Sequence, residues 1–315
     1  MLFNLIRNRR YYFILSLLFI TPGLLAMIYN VATTPTHTPW KLSVDFRPGS
    51  RFVLKFNDTA TEDKIRATFN QFGFINPEIS RLGAANENLW QVRTDVTEGE
   101  KVQQIRDALS KNVAALDEKQ SSVDSVSPKV ASEVTSAALQ AVIAASIVVL
   151  LFIWWAFRKA PNAIRYSVCA IIAMLHDILI AAGMMALFGI LFNWEVDALF
   201  LTAMLTLIGF SVQDTIVVYD RIRENLTRRR GEPFEQIVTR SMLETLHRSL
   251  AISLCNIFVM VALLLFGGAS IKQFIAVMFI GLVSGTYSSI FNAVPLVVAW
   301  AERDIWGTKN KAAIA

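Results

Sequence analysis

Residues 197–225 read DALFLTAMLTLIGFSVQDTIVVYDRIREN, a stretch apolar enough to cross a bilayer with a carboxylate, Asp214, inside it. Between Ala198 and Tyr219 the only polar side chains besides small hydroxyls are Gln213 and Asp214. At about 1.5 Å per residue a helix over these positions is about 30 Å long, the thickness of the hydrocarbon core. A charge at that depth costs at least about 2.5–3.5 kcal/mol, so residues of this kind face protein or a water-filled path and mark ion or proton routes. That places the chain among membrane transport machinery. The alternative is an Asp that only locks helix packing through a hydrogen bond or ion pair.

Composition agrees with a membrane protein. Of 315 residues, 54% are hydrophobic and 17% charged, against about 25% charged in soluble domains. The apolar runs fall in Met1–Thr34 and Val130–Ala315, whereas Pro35–Lys129 has the make-up of a soluble domain. The expected organisation is an α-helical membrane protein with an inserted α+β extracytoplasmic domain. Residues 1–34 form an N-terminal segment and first transmembrane helix, and 35–129 form the insert. Residues 130–303 form a five-helix membrane domain with a cytoplasmic amphipathic loop at 220–245, and 304–315 a cytoplasmic tail. Six spans are predicted: Tyr11–Tyr29, Ala137–Phe157, Ile164–Phe192, Ala198–Tyr219, Leu246–Gly267 and Ile271–Trp300. The first follows Arg7, Arg9 and Arg10 as a signal peptide would, but its 19 residues with a tyrosine at each end read as a retained anchor.

Basic residues orient the spans. Arg7, Arg9 and Arg10, then Arg158, Lys159 and Arg165, then the seven arginines of Asp220–Arg248, then Arg303, Lys309 and Lys311 all fall on one side. Both termini are therefore expected on the cytoplasmic side and the insert outside. No basic stripe with interleaved aromatics lies outside these loops, so a nucleic-acid partner is not expected. Cys169 and Cys255 both lie in spans, which leaves the insert without a disulfide framework.

Inside the insert, Phe52, Leu54 and Phe56 alternate with Arg51, Val53 and Lys55, the period of a half-buried strand. Thr61 caps a helix with Ile65, Phe69 and Phe72 on one face. Strands near Glu78–Leu82 and Leu89–Thr94 flank the turn-rich Gly83–Asn88. Thr97 opens a second helix with Val102, Ile105 and Leu109 on one face, and a last strand lies near Ser122–Val126. The order β-α-β-β-α-β fits the ferredoxin-like split motif. The insert has no metal-ligand spacing, phosphate loop or nucleophile arrangement, so it is expected to bind or move. No cofactor, metal or enzymatic activity is expected of the chain.

The cytoplasmic loop places Phe234, Ile237, Val238 and Met242 on one side against Glu232, Arg240 and Glu244, which predicts a helix lying at the membrane surface. In the fourth span Thr202, Thr206, Gly209 and Gln213 form a small or polar stripe, with Ser211, Asp214 and Thr215 beside it. Asp214 sits roughly 8 Å below the inner interface. Its best cation is Arg248, on a strip with Ser249, Ser253 and Asn256; the plain alternative for Arg248 is a snorkelling positive-inside residue. A carboxylate balanced between burial and a cation can load and release a proton. His176 and Asp177 lie mid-span, where either extends a proton route or satisfies an interhelical hydrogen bond. Their Cβ directions differ by about 100°, so the two are not expected to line one small site. Gly281 and Gly285 form a GxxxG, continued by Ser288, Ser289 and Asn292, which predicts a close helix contact or a subunit boundary.

The run GFSVQDTIVVYDRIREN at Gly209–Asn225 resembles the signature of the SecF family, subunits of the bacterial Sec protein-export machinery, in which the pattern is close to GYSxNDTxVxxDRIREN. Phe210 stands for Tyr and Gln213 for Asn. Leu175-His176-Asp177, TLHRS at Thr245–Ser249 and GTYSSIF at Gly285–Phe291 also match. Val44-Asp45-Phe46 with Pro48-Gly49 looks like the family's DFxGG with its first glycine replaced. The resemblance implies half of a resistance-nodulation-division-type transporter, paired with SecD and associated with the SecYEG channel. It implies that the proton gradient is used to help pull preproteins across, with Asp214 and Arg248 on the proton pathway. It also implies that the insert contacts the emerging chain. The competing reading is half of a proton-driven exporter of lipids or small hydrophobic molecules.

Overall fold

Six helices long and apolar enough to cross a membrane stand out in the computed structural model, which describes residues 6–34, 37–74, 77–82, 87–97, 99–158, 162–229 and 231–304. Lys159, Arg230, Lys309, Lys311, Pro35, the Gly83–Asn86 part of the expected turn and the tail beyond Asp304 lie outside the described residues. The chain divides into two compact units. One is formed by the chain up to Lys41 and from Ala141 onward, the other by Leu42–Gln140.

In chain order, α1 (Arg9–Thr33) precedes the insert. There β1 (Gly49–Lys55), α2 (Glu62–Gln71), β2 (Glu78–Leu82), β3 (Leu89–Thr94), α3 (Gly99–Asn112) and β4 (Ser122–Val126) follow one another. Then come α4 (Pro128–Phe157), α5 (Ala163–Phe192), α6 (Ala198–Arg228), α7 (Phe234–Phe266), α8 (Ala269–Ser288), a π-helical segment (Ser289–Ala293) and α9 (Val294–Glu302).

The strands form one antiparallel sheet in the order β2-β3-β1-β4. The period-2 pattern of β1 puts Phe52, Leu54 and the following Phe56 into the core. They meet Ile65 and Phe69 of α2, Ile105 and Leu109 of α3, and Trp90 and Val92 of β3. Gly49 starts β1 so close to its neighbour that a Cβ there would lie 2.8 Å from the Thr94 carbonyl oxygen, which only glycine avoids. Thr61 occupies the N-cap position of α2 in extended conformation, but its hydroxyl makes no capping bond; Glu62 and Asp63 supply negative charge to the first turn instead.

In the membrane unit the helix ends follow from local chemistry. Asn193 adopts the left-handed conformation that closes α5, and Asp197 caps α6 by accepting the Phe200 N–H at 2.8 Å. Helices run past the expected span ends, and α6 continues to Arg228, beyond Tyr219 and into the expected loop at 220–245. The second span begins at Pro128, ahead of the expected Ala137. The expected surface helix does not exist as a separate element: Phe234–Phe266 is one helix of 33 residues. No Gly or Pro interrupts it, and Ile237, Val238 and Met242 are buried against the other helices. Its first turns are fastened to the end of α6 by Arg221–Glu244 at 2.6 Å and by Asn225, which donates to Ser241 Oγ and Glu244 Oε2 at 2.9 Å each.

The closest approach in this unit was not visible as a motif. A Cβ on Gly23 of α1 would lie 2.6 Å from Gly183 Cα of α5, and one on Gly183 would lie 2.7 Å from Gly23 Cα. Backbone meets backbone there. Arg9, expected only to orient the first span, is 1% exposed; it donates to the Asp304 carbonyl at 2.6 Å and pairs with Glu302 at 3.3 Å. The first and last helices are thereby joined.

Candidate functional site

Asp214 is carried by the middle of α6, where the helix turns its Ser211, Asp214, Thr215, Val218 face toward the other helices. The carboxylate is 8% exposed and accepts one described hydrogen bond, from Ser253 Oγ of α7 at 3.3 Å. Ser249, one turn before Ser253, is also buried and turns its hydroxyl toward the same carboxylate, short of a hydrogen bond with full geometry. Asp214 is thus held lightly, in a setting with spare hydrogen-bonding capacity.

The expected ion pair with Arg248 is not formed. Among the described residues Arg248 makes no ion pair, and its side chain is exposed. Neighbouring helical residues point about 100° apart. With Ser249 and Ser253 turned toward α6, Arg248 points elsewhere. Gln213 is exposed as well, and so are Thr202 and Gly209, with open space where a Gly209 Cβ would stand. The polar stripe of the fourth span therefore lies on an uncovered face, beside the buried face that carries Asp214.

Asp177 is where the polar groups converge. It is 0% exposed, and both oxygens are saturated. Oδ1 accepts Ser284 Oγ at 2.6 Å and lies 3.0 Å from His176 Nδ1. Oδ2 accepts Ser211 Oγ and Ser288 Oγ, each at 2.6 Å. One carboxylate ties α5 to α6 and to α8. Contrary to the expectation from Cβ directions, His176 and Asp177 do meet, because the imidazole arm is long enough to reach back across its neighbour. His176 Nε2 is buried with no partner among the described residues, and its ring lies 6.3 Å from that of Tyr287. Tyr287 donates to the Tyr12 carbonyl at 2.8 Å, and Ser16 donates to Asn292 Oδ1 at 2.9 Å, so the polar groups continue toward α1.

Gly281 and Gly285 sit at this junction, within the chain. A Cβ on Gly281 would fall 1.6 Å from Leu207 Cδ1, and one on Gly285 would lie 3.5 Å from Ser211 Cα and 3.6 Å from Asp177 Oδ2. The GxxxG thus brings α8 onto α6, so a subunit boundary is not needed to explain it. Below the junction Tyr219, fully buried among Phe157 and Tyr166, donates to the Ala293 carbonyl at 3.0 Å.

Chemically, these groups can hold and pass a proton or switch hydrogen-bond partners. No group of three or more His, Cys, Asp or Glu side chains comes together among the described residues, so none of them forms a metal-ligand set. In the insert, the Val44–Gly49 segment borders a cavity of about 140 Å³ with Phe74, Glu78 and Arg93. The exposed Arg47–Glu78 pair spans 3.7 Å there. Sequence reading found Ser288 only as packing and missed Ser284 altogether.

Comparison with known proteins places this architecture. Residues 105–303 match the family described as protein export membrane protein SecD/SecF, C-terminal. The protein translocase subunit SecF of Thermobaculum terrenum is 39% identical over 96% of this chain and 95% of its own length. That of Anaerolinea thermophila is 38% identical over 94% of each. The crystal structure of SecDF, a translocon-associated membrane protein from Thermus thermophilus, superposes on 95% of this chain with a TM-score of 0.79 at 28% identity; this chain spans 39% of that one.

Proposed function

Because the chain belongs to the SecF family of protein translocase subunits, we propose that it couples the proton gradient to preprotein export. In this reading it is a non-enzymatic accessory subunit working beside a SecD partner and the SecYEG channel. The observation that carries the reading is Asp214: a carboxylate within a membrane-length helix, 8% exposed, with a single described hydrogen-bond donor. Retaining such a group is costly unless it serves transport.

The uncovered polar face beside it supports the partnership. Gln213 and Arg248 facing lipid would be expensive, and a second membrane half would cover them together with Thr202 and Gly209. The SecDF chain, of which this one spans 39%, has length to supply such a half. Arg248 then takes Asp214, or a carboxylate of the partner, in a second arrangement of the helices. The apolar exposed surface of α4 and α7 meets membrane lipids. The basic loops support N- and C-termini in the cytoplasm of a bacterial inner membrane, with the insert on the far side. The antiparallel order β2-β3-β1-β4 and the β-α-β-β-α-β sequence support a ferredoxin-like insert that contacts the emerging polypeptide.

One proton supplies part of the energy of a full two-state switch, enough to bias it. One charge crossing 100 mV is worth about 2.3 kcal/mol, and about 5.5 kcal/mol moves a two-state equilibrium from 1:99 to 99:1. Export into membrane vesicles, with and without an imposed gradient and at matched complex levels, tests the reading. Asp214→Asn should retain the complex and lose gradient stimulation. Full stimulation in that variant would leave Asp214 as packing.

A further inference from the structure

We propose that Asp177 is a positioning residue for Asp214, acting through Ser211 to fix the rotation of α6 on which Asp214 depends. The proposal rests on the proton-coupling reading above and adds to it the group that sets Asp214 in place. Ser211 and Asp214 are three residues apart, so they lie on neighbouring positions of one helix face. Ser211 is pinned to Asp177 at 2.6 Å, and α8 passes the Ser211 backbone at the same level, where a Cβ on Gly285 would stand 3.5 Å from Ser211 Cα in ordinary contact. Below Asp214, Tyr219 is pinned to the Ala293 carbonyl at 3.0 Å. Asp214 therefore rides on a helix segment fastened on both sides, while its own bond to Ser253 is the long one, at 3.3 Å.

The two carboxylates are divided in labour by their donors. Asp177 has four for two oxygens and no exposure, so it has no vacant lone pair for a further partner. Asp214 has one donor in full hydrogen-bond geometry, with the Ser249 hydroxyl turned toward the same carboxylate. The ionisable side chains of the helices packed around α6 are Arg165, Tyr166, Cys169, His176 and Asp177 on α5, Lys272 and Tyr287 on α8, Glu235, Arg240, Glu244, His247, Arg248 and Cys255 on α7, and Glu302 on α9. The π-helical segment carries none. None of these is hydrogen-bonded or ion-paired to Asp214 among the described residues, which leaves α6 geometry as the route by which Asp177 reaches it.

Removing either serine takes one 2.6 Å donor from Asp177, but only Ser211 belongs to the Asp214 helix. The intact complex in membranes is treated with dicyclohexylcarbodiimide, which reacts with a protonated carboxyl group, and labelling of Asp214 is followed by mass spectrometry across pH. Ser211→Ala should move the pH midpoint of Asp214 labelling by about half a unit or more, roughly a threefold change in proton affinity. Ser284→Ala should lower the yield of complex while leaving that midpoint in place. Equal midpoints in both variants, or equal shifts in both, would overturn the positioning role and show Asp177 to be packing. Asp177→Asn, where it assembles, should shift the midpoint as Ser211→Ala does, and an unshifted midpoint there counts equally against the proposal. Absence of Asp214 labelling at every pH in the unmodified protein would instead remove the proton-coupling reading itself.

Discussion

The two units of this chain both bury apolar side chains but differ in the polar groups they keep inside. In the insert the core is apolar volume: Phe52, Leu54, Phe56, Ile65, Phe69, Val92, Ile105 and Leu109 are at most 1% exposed, and its ion pairs, such as Arg51–Asp124, lie at the surface. The membrane unit also buries apolar volume, with Phe157, Met174, Ile208, Val218, Val294 and Val298 inside, while Phe266, Leu265 and Phe258 point outward. Its interior holds in addition Asp177, Asp214, His176, Asn292 and a set of serines. The difference follows from the surroundings. Water drives apolar side chains together, whereas lipid gives helices no such incentive and leaves close packing and polar bonds to join them. Buried ionisable side chains therefore serve as fasteners in the membrane unit, whereas the polar side chains buried in the insert, such as Ser50, Thr68 and Gln91, are uncharged.

If that contrast holds, the units should fail in opposite ways. The largest effect expected is from Phe69→Ala in the insert, which removes a fully buried ring in edge contact with Phe52 at 5.1 Å. A loss of about 3–5 kcal/mol is expected, read as protease sensitivity confined to residues 42–140 of the full-length protein. Next is the addition of a methyl group, Gly183→Ala, whose Cβ would stand 2.7 Å from Gly23 Cα. Overfilling of this kind costs about 1–3 kcal/mol and should lower the unfolding temperature of the membrane unit in detergent. Tolerance of that methyl would show that α1 and α5 pack less closely than described. Least is Arg51→Ala, which removes a half-exposed ion pair of 2.9 Å and should change insert stability by no more than about 1 kcal/mol. A larger loss would mean that surface charge carries stability in the insert.

Much of the fold was legible because each unit has a strong period. The apolar runs gave the six spans, and alternation at Phe52, Leu54 and Phe56 with helical spacing at Ile65–Phe69 and Ile105–Leu109 gave the sheet and its two helices. The continuity of Phe234–Phe266 was missed because an amphipathic start was read as a separate helix, although no Gly or Pro breaks it. The Asp177 junction was illegible for a different reason. Its serine partners lie 34, 107 and 111 residues away, and a lone serine in a span carries no signature of its partner. Gly23 and Gly183 are likewise single glycines on distant helices. Asp214 was found at once, since a carboxylate in an apolar run needs no partner to be conspicuous. Its expected pairing with Arg248 rests on both residues lying near the inner ends of consecutive spans on polar strips, which leaves out where Ser249 and Ser253 turn the helix.

The account stands or falls on whether protons pass by way of Asp214. Proteoliposomes holding the complete translocase with its SecD partner, a pH-sensitive dye and an imposed gradient would measure proton entry during polypeptide export. The account predicts export-dependent proton entry in the unmodified complex and none above background in Asp214→Asn, at equal complex content. Equal entry in the two would contradict it.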